Sequence, residues 1–283
     1  MKRLIVGCGY LGRRVADAWL ERGDEVFAVT RSSETAERFQ AAGISPVVAD
    51  VTVPQSLAEL PECDTVLHAV GFDRSASPSK REVYVDGLRA VLGRMRDRCD
   101  RFVQISSTSV YGQENGELID EASECSPEHE SGVICLDAEL AVSELLSDSR
   151  TSFSVLRLSG IYGSDRLLSR IEALKQRQPL PGSPDAWLNL IHVDDAATVV
   201  VACSDLGASP PVLLVSDDRP IRRAEYYETL ARTLNAPAPV FDPDSTARHT
   251  RGLGKRCSNR LLRQSLGVSL RFPTIAEGIP DAI

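Results

Sequence analysis

A chain of 283 residues with 42% hydrophobic side chains can bury one large α/β core and a smaller lobe beside it. Its net charge of −8, without an extended Lys/Arg run, excludes the basic stripe of a nucleic-acid binder and points to a small-molecule ligand. No apolar stretch approaches the roughly 18 residues of a membrane span, and a strand starting at Lys2 leaves no room for a signal peptide, so a cytoplasmic protein is expected.

In chain order, Lys2-Arg3-Leu4-Ile5-Val6 predicts a buried strand, and Val15, Ala16, Trp19 and Leu20 predict the face of a following helix. Between them stands Gly7-Cys8-Gly9-Tyr10-Leu11-Gly12. Gly7 permits the tight turn, Gly9 lets main-chain N–H groups approach a pyrophosphate, and Gly12 lets helix and strand pack closely. Residues 7–12 are therefore expected to bind a dinucleotide. A second strand over 25–30 and a helix over 34–42 complete a βαβ unit. A cofactor with a free ribose 2′-hydroxyl usually meets an acid where this chain has Thr30-Arg31-Ser32-Ser33. Arg31 and Ser32 instead suit a 2′-phosphate, so NADP is expected in preference to NAD, unless Arg31 is only a surface residue at a strand end.

The third strand is expected over 46–50. Asp50 is placed to accept from the adenine amino group or else to form a turn, and Val51 lies beside it. The fourth covers 64–70, where Ala69, Val70 and Gly71 are small enough to lie against the cofactor, and His68 reads as a packed residue. A helix containing Tyr84-Val85-Asp86-Gly87-Leu88 should run to about Cys99. Seven cysteines without a CxxC pair suggest neither a zinc site nor a disulfide framework, and no metal is expected.

The fifth strand leads into Ile105-Ser106-Ser107-Thr108-Ser109-Val110-Tyr111-Gly112. With the glycine turn, Leu156-Arg157-Leu158-Ser159-Gly160-Ile161-Tyr162-Gly163 and Ile191-His192-Val193-Asp194-Asp195, this segment resembles the extended short-chain dehydrogenase/reductases, the NAD(P)-dependent sugar-nucleotide epimerases and dehydratases. The resemblance implies a Rossmann-type doubly wound parallel sheet with a smaller C-terminal substrate lobe. It divides the chain into 1–159 with 188–216 and 160–187 with 217–283, and puts the ligand cleft between them. It also implies that Ser107 binds the reacting hydroxyl of the substrate, and that helices at about 80–99 and 132–148 form a homodimer.

Members of that family carry a Tyr-x-x-x-Lys pair on the next helix, the tyrosine as acid/base and the lysine lowering its pKa. Counting back from Glu139, Ser131 takes the tyrosine position and Cys135 the lysine position. The lysines beyond residue 70 are Lys80, Lys175 and Lys255, none of them four residues after a tyrosine, and Tyr84 stands where an asparagine is usual. The resemblance is thus to atypical members, which leaves the acid/base unknown. Tyr111, Tyr162, His192 and Cys135 are minor candidates. Asp194 and Asp195 should begin a helix through Cys203.

In the second lobe a helix is expected over 165–171, a loop over 179–184, a strand over 212–216, a helix over 221–234 and a last short helix from Ser258. Arg166, Lys255 and Arg260 are candidates for a substrate phosphate, and solvent-facing charge is the alternative. The sequence reads as an oxidoreductase or epimerase-like enzyme that transfers hydride on a nucleotide sugar or similar polar substrate, with a catalytically silent NADP(H) sensor or scaffold as the rival.

Overall fold

The computed structural model describes residues 1–73, 75, 77–166, 168–207, 210–242 and 252–283, without the side chains of 168–170. Contacts divide the chain into two compact units: 1–111, 127–157 and 197–213 form the first, and 112–126, 158–196 and 214–283 the second. The stretch 112–126, placed by sequence in the first lobe, falls in the second unit because its strand Asn115–Ile119 pairs in parallel with Gly254–Cys257.

The sheet of the first unit starts with β1 (Lys2–Val6), β2 (Glu25–Thr30), β3 (Ser45–Val48), β4 (Cys63–His68) and β5 (Cys99–Ser107). Strands Ser152–Leu158 and Val212–Val215 extend it, giving the order 212–215, 152–158, β5, β4, β1, β2, β3. The pairings from β3 through to β5 are all parallel. The order reverses direction at β1, which has β2 on one side and β4 on the other, the switch point where such sheets bind ligands. Both faces are covered, so β1 is buried from Arg3 to Val6. Arg3 tolerates this because its guanidinium donates to Asp24 (3.0 Å), Thr65 (2.6 Å) and Asp205 (2.7 Å).

Helices α1 (Tyr10–Glu21), α2 (Ser33–Ala41), α3 (Gly87–Met95) and α4 (Glu130–Leu146) flank the sheet. Cys99, expected to end a helix, starts β5 instead. Helix α3 closes at Met95, and Asp97 turns the chain in the left-handed region (φ 59°), its carboxylate accepting from the Ser149 hydroxyl and the Arg150 amide at 2.9 Å each. Strand β3 stops at Val48, which leaves Asp50 in the following turn.

The second unit packs its own apolar cluster around Tyr162, Leu190, Ile221, Tyr226, Leu230 and Ile279. The helix expected from residue 165 begins at Leu168, after Asp165 takes a left-handed conformation (φ 66°). A helix over Ile275–Asp281 escaped the sequence reading because Pro280 lies inside it. Its start is nevertheless signalled by a capping box in which Thr274 and Glu277 bond reciprocally. Among the described residues no helix is long and apolar enough to cross a membrane.

Candidate active site

The glycine turn follows β1 and opens α1. Gly7 has φ +99°, and a Cβ there would stand 2.5 Å from the Ala69 backbone, so the turns after β1 and β4 meet at the switch point. A Cβ on Gly12 would lie 2.5 Å from the Gly7 carbonyl oxygen, which explains why helix and turn can approach so closely. Gly9 is different: among the described residues, its chain neighbours aside, nothing stands within 4 Å of a Cβ built on it. It is the N-cap of α1 without a side-chain cap, and no acid occupies the first turn. The helix therefore presents main-chain donors and its positive end to an open space, the geometry that holds a diphosphate. Around it Leu11 is buried, Arg14 lies 4.4 Å over the Tyr10 ring, and burial pushes the Cys8 thiol up to about 11, keeping it unreactive.

At the end of β2, Arg31 is exposed with its guanidinium 3.8 Å from the Asp73 carboxylate. Ser32 caps α2, accepting from the Thr35 amide at 3.3 Å. The Oδ1 of Asp50 accepts from the Thr52 amide (2.8 Å) and hydroxyl (2.7 Å), forming a turn. Val51 is buried under Gly87, where a Cβ would come within 2.8 Å of its methyl group. Ala69 donates its amide to the Val6 carbonyl at 2.8 Å, Val70 is half-buried, and Gly71 is exposed with open space around it. His68 is fully buried and 6.2 Å from the Phe102 ring. Burial pushes its imidazole down to about 4, against a raising contribution from Gln104, so it is neutral at pH 7.

The end of β5 sits over a buried ion pair that the sequence reading did not identify. Arg157 donates to both Glu139 oxygens, at 2.7 Å from Nη2 and 3.1 Å from Nε, and to the Tyr111 hydroxyl at 2.7 Å. Ser106 donates to the same carboxylate at 2.5 Å. Burial works against the Arg157 charge, but Glu139 and Tyr111 offset it and the net shift is upward. Next to Ser106 stands half-buried Ser107, whose hydroxyl accepts from the Ser109 amide at 3.1 Å and closes the turn Thr108–Val110. Tyr111 is thereby committed to structure.

The other candidates are occupied elsewhere. Tyr162 is fully buried with its hydroxyl against Gly278, and burial followed by the nearby Asp217 raises its pKa. His192 accepts from the Asp194 amide at 3.3 Å and lies 4.1 Å from the Phe272 ring. Ligand atoms of His192, Asp194 and Asp281 lie within 4.8 Å of one another, yet Asp281 also pairs with Arg271 at 3.4 Å. Asp195 is buried and accepts from the Arg271 (2.7 Å) and Phe272 (2.8 Å) amides, fixing that segment. Arg166 and Arg260 are exposed, and Lys255 is half-buried.

The sequence profile of the NAD dependent epimerase/dehydratase family matches residues 4–214. The chain belongs to that family. Among relatives of this family member is the 4-hydroxy-2-methyl-3-oxo-4-farnesyl-3,4-dihydroquinoline-1-oxide ketoreductase of Stigmatella aurantiaca, 26% identical over 279 residues covering 94% of this chain and 83% of the relative. Two solved structures share the fold. They are the UDP-glucuronic acid 4-epimerase of Bacillus cereus in complex with NAD (TM-score 0.80, 16% identity, 100% and 95% of the two chains covered) and the UDP-glucose 4-epimerase of Thermotoga maritima with UDP-glucose (TM-score 0.83, 14% identity, 100% and 97% covered).

In this family member Ser131 is exposed and Cys135 buried, one turn apart on α4. Burial raises the Cys135 thiol, while Lys80 and a hydrogen bond with Ser109 oppose the shift. The Ser131 hydroxyl accepts from Lys80 Nζ, a residue 51 positions earlier in the chain. Sequence reasoning set Lys80 aside because it follows no tyrosine. The overlooked signal is that it precedes one, Tyr84, by four residues.

Proposed function

We propose that this protein is an NADP(H)-dependent oxidoreductase of the epimerase/dehydratase type, acting by hydride transfer on a nucleotide sugar or a similar polar substrate. The observation that carries this reading is the open space at Gly9, with Gly7 and Gly12 closing the turn around it. Residues 7–12 would hold the diphosphate, Asp50 and Val51 the adenine side, Ala69, Val70 and Gly71 the nicotinamide side, and Arg31 with Ser32 the 2′-phosphate. When bound, the cofactor supplies or accepts the hydride. Ser107 orients the substrate hydroxyl from the end of β5, where the Ser106 bond to buried Glu139 keeps the strand in place.

The test is incubation of the protein with NADP(H) or NAD(H) and a panel of nucleotide sugars. Turnover that falls on the order of 10²-fold in Ser107→Ala supports the proposal; saturable cofactor binding without turnover on any substrate contradicts it. The cofactor preference has its own check. Arg31→Ala should weaken NADP(H) at least about tenfold, the loss of a charge-assisted contact, and leave NAD(H) affinity within about twofold. Equal weakening of both would sink the 2′-phosphate role.

The proposal includes a homodimer. Val133 and Leu140 are 40% and 59% exposed and lie seven residues apart on α4. Leu140→Glu should shift the sedimenting species from dimer to monomer, whereas a monomeric wild type would remove this part of the reading.

A further inference from the structure

We propose that Lys80 and Tyr84 form an acid/base pair in inverted order, Lys-x-x-x-Tyr, with Tyr84 as the proton donor to the substrate and Lys80 as the cation that stabilises its anion. The inference rests on the oxidoreductase reading above and supplies the group which that reading leaves unnamed.

Four observations converge. Lys80 Nζ stands 5.0 Å over the Tyr84 ring and donates to Ser131, so its charge reaches both the tyrosine and the α4 position that the resemblance assigns to the family's acid/base. Cys135, at the resembled lysine position, lies one turn after Ser131 on α4, where the Lys80 charge lowers its thiol and it in turn raises the Tyr84 hydroxyl, so the two side chains on the facing helix lie beside the positions that lack the usual groups. The Ser109 carbonyl oxygen lies 2.2 Å from a Cβ built on Gly132 in the first turn of α4, and the Ser109 amide donates to Ser107, so this end of α4 lies against the turn that carries the substrate-orienting hydroxyl. Finally, the segment that carries the pair is held in place at its start and against α4. Ser79 and Glu82 form a capping box (2.6 and 3.2 Å) that sets Lys80 in the first helical turn, where a cation opposes the helix dipole. A π-helical stretch follows over Glu82–Asp86, and Arg81 ties the segment to Asp137 of α4 at 2.7 Å.

Tyr84 is half-buried, and burial followed by Cys135 raises its pKa against the opposing effect of the Phe72 backbone. The hydroxyl is thus protonated at neutral pH, the state a donor requires. With a reduced nicotinamide bound, which would supply hydride to the carbon of a substrate carbonyl, Tyr84 would donate its proton to the carbonyl oxygen. The carbonyl becomes an alcohol, and the tyrosinate beside Lys80 recovers a proton from water.

The test is a pH titration of tyrosinate absorbance on the full-length protein. Tyr84→Phe should remove one titrating component, and Lys80→Met, with Lys80→Gln as second variant, should move that component up by about one pH unit or more, while Lys80→Arg leaves it in place. For whichever substrate the wild type turns over, Tyr84→Phe should cut kcat on the order of 10²-fold or more without raising KM. A component unmoved in both neutral Lys80 variants, or kcat retained in Tyr84→Phe, overturns the pairing. NADPH binding, followed by fluorescence, reports separately on the oxidoreductase reading and should be unchanged in all variants.

Discussion

Glu139→Ala should destabilise the first unit by about 3 to 5 kcal/mol. The carboxylate is 6% exposed and accepts from Arg157 and Ser106, so truncation leaves a buried guanidinium with the Tyr111 hydroxyl for company. The cost comes from stranding the charge. It follows that Glu139→Leu combined with Arg157→Met should recover most of the loss, since removing both partners also removes the desolvation penalty. Denaturant unfolding of the two single variants and the double variant checks this. Additive losses in the double variant would contradict the account. The pair also anchors the end of β5 through Ser106, so the single variant should lose turnover as well as stability.

Asp217 makes the opposite case, a buried acid that costs stability when charged. It is 1% exposed, Oδ1 accepts from the Arg219 amide at 3.2 Å, and buried Oδ2 has no hydrogen-bond partner among the described residues. Burial pushes the carboxyl up to about 8; the Arg219 amide opposes this and Asp218 adds to it. Between the unfolded value of 3.8 and about 8 the folded state holds a proton that the unfolded state has released. Stability is therefore full below that unfolded value and falls as pH rises through the window. At about 1.4 kcal/mol per unit, the loss by pH 9 reaches up to roughly 6 kcal/mol. Asp217→Asn should abolish this dependence, matching the wild type at low pH and exceeding it at pH 9. Urea unfolding at pH 5 and pH 9 measures it, and an unchanged pH slope in the variant would refute the assignment.

The parts of the fold visible in the sequence were those set by neighbours in the chain. β1, the glycine turn and α1 follow from local periodicity and turn chemistry, whereas the role proposed for Ser107 comes from the family resemblance. What stayed hidden depends on partners distant in sequence. Arg3 sits in a buried strand because Asp24, Thr65 and Asp205 satisfy it, and Lys80 matters because α4 brings Ser131 to it. Nothing near Glu139 in sequence announces Arg157. Strand and helix ends shifted by a few residues where a side chain decided the turn, as Asp97 does before β5.

The central claim is that main-chain donors at the first turn hold a nicotinamide dinucleotide, and Gly9 separates binding from folding. Among the described residues a Cβ there meets nothing within 4 Å beyond its chain neighbours, whereas one at Gly12 would meet the Gly7 carbonyl oxygen at 2.5 Å. The direct measurement is calorimetric titration of the wild type and of Gly9→Val with NADP(H) and NAD(H), alongside thermal unfolding of both. The account predicts saturable binding to the wild type, loss of at least about 10²-fold in Gly9→Val, and a variant that unfolds within a few degrees of the wild type. No saturable binding to the wild type at millimolar cofactor, or full affinity in Gly9→Val, would contradict it.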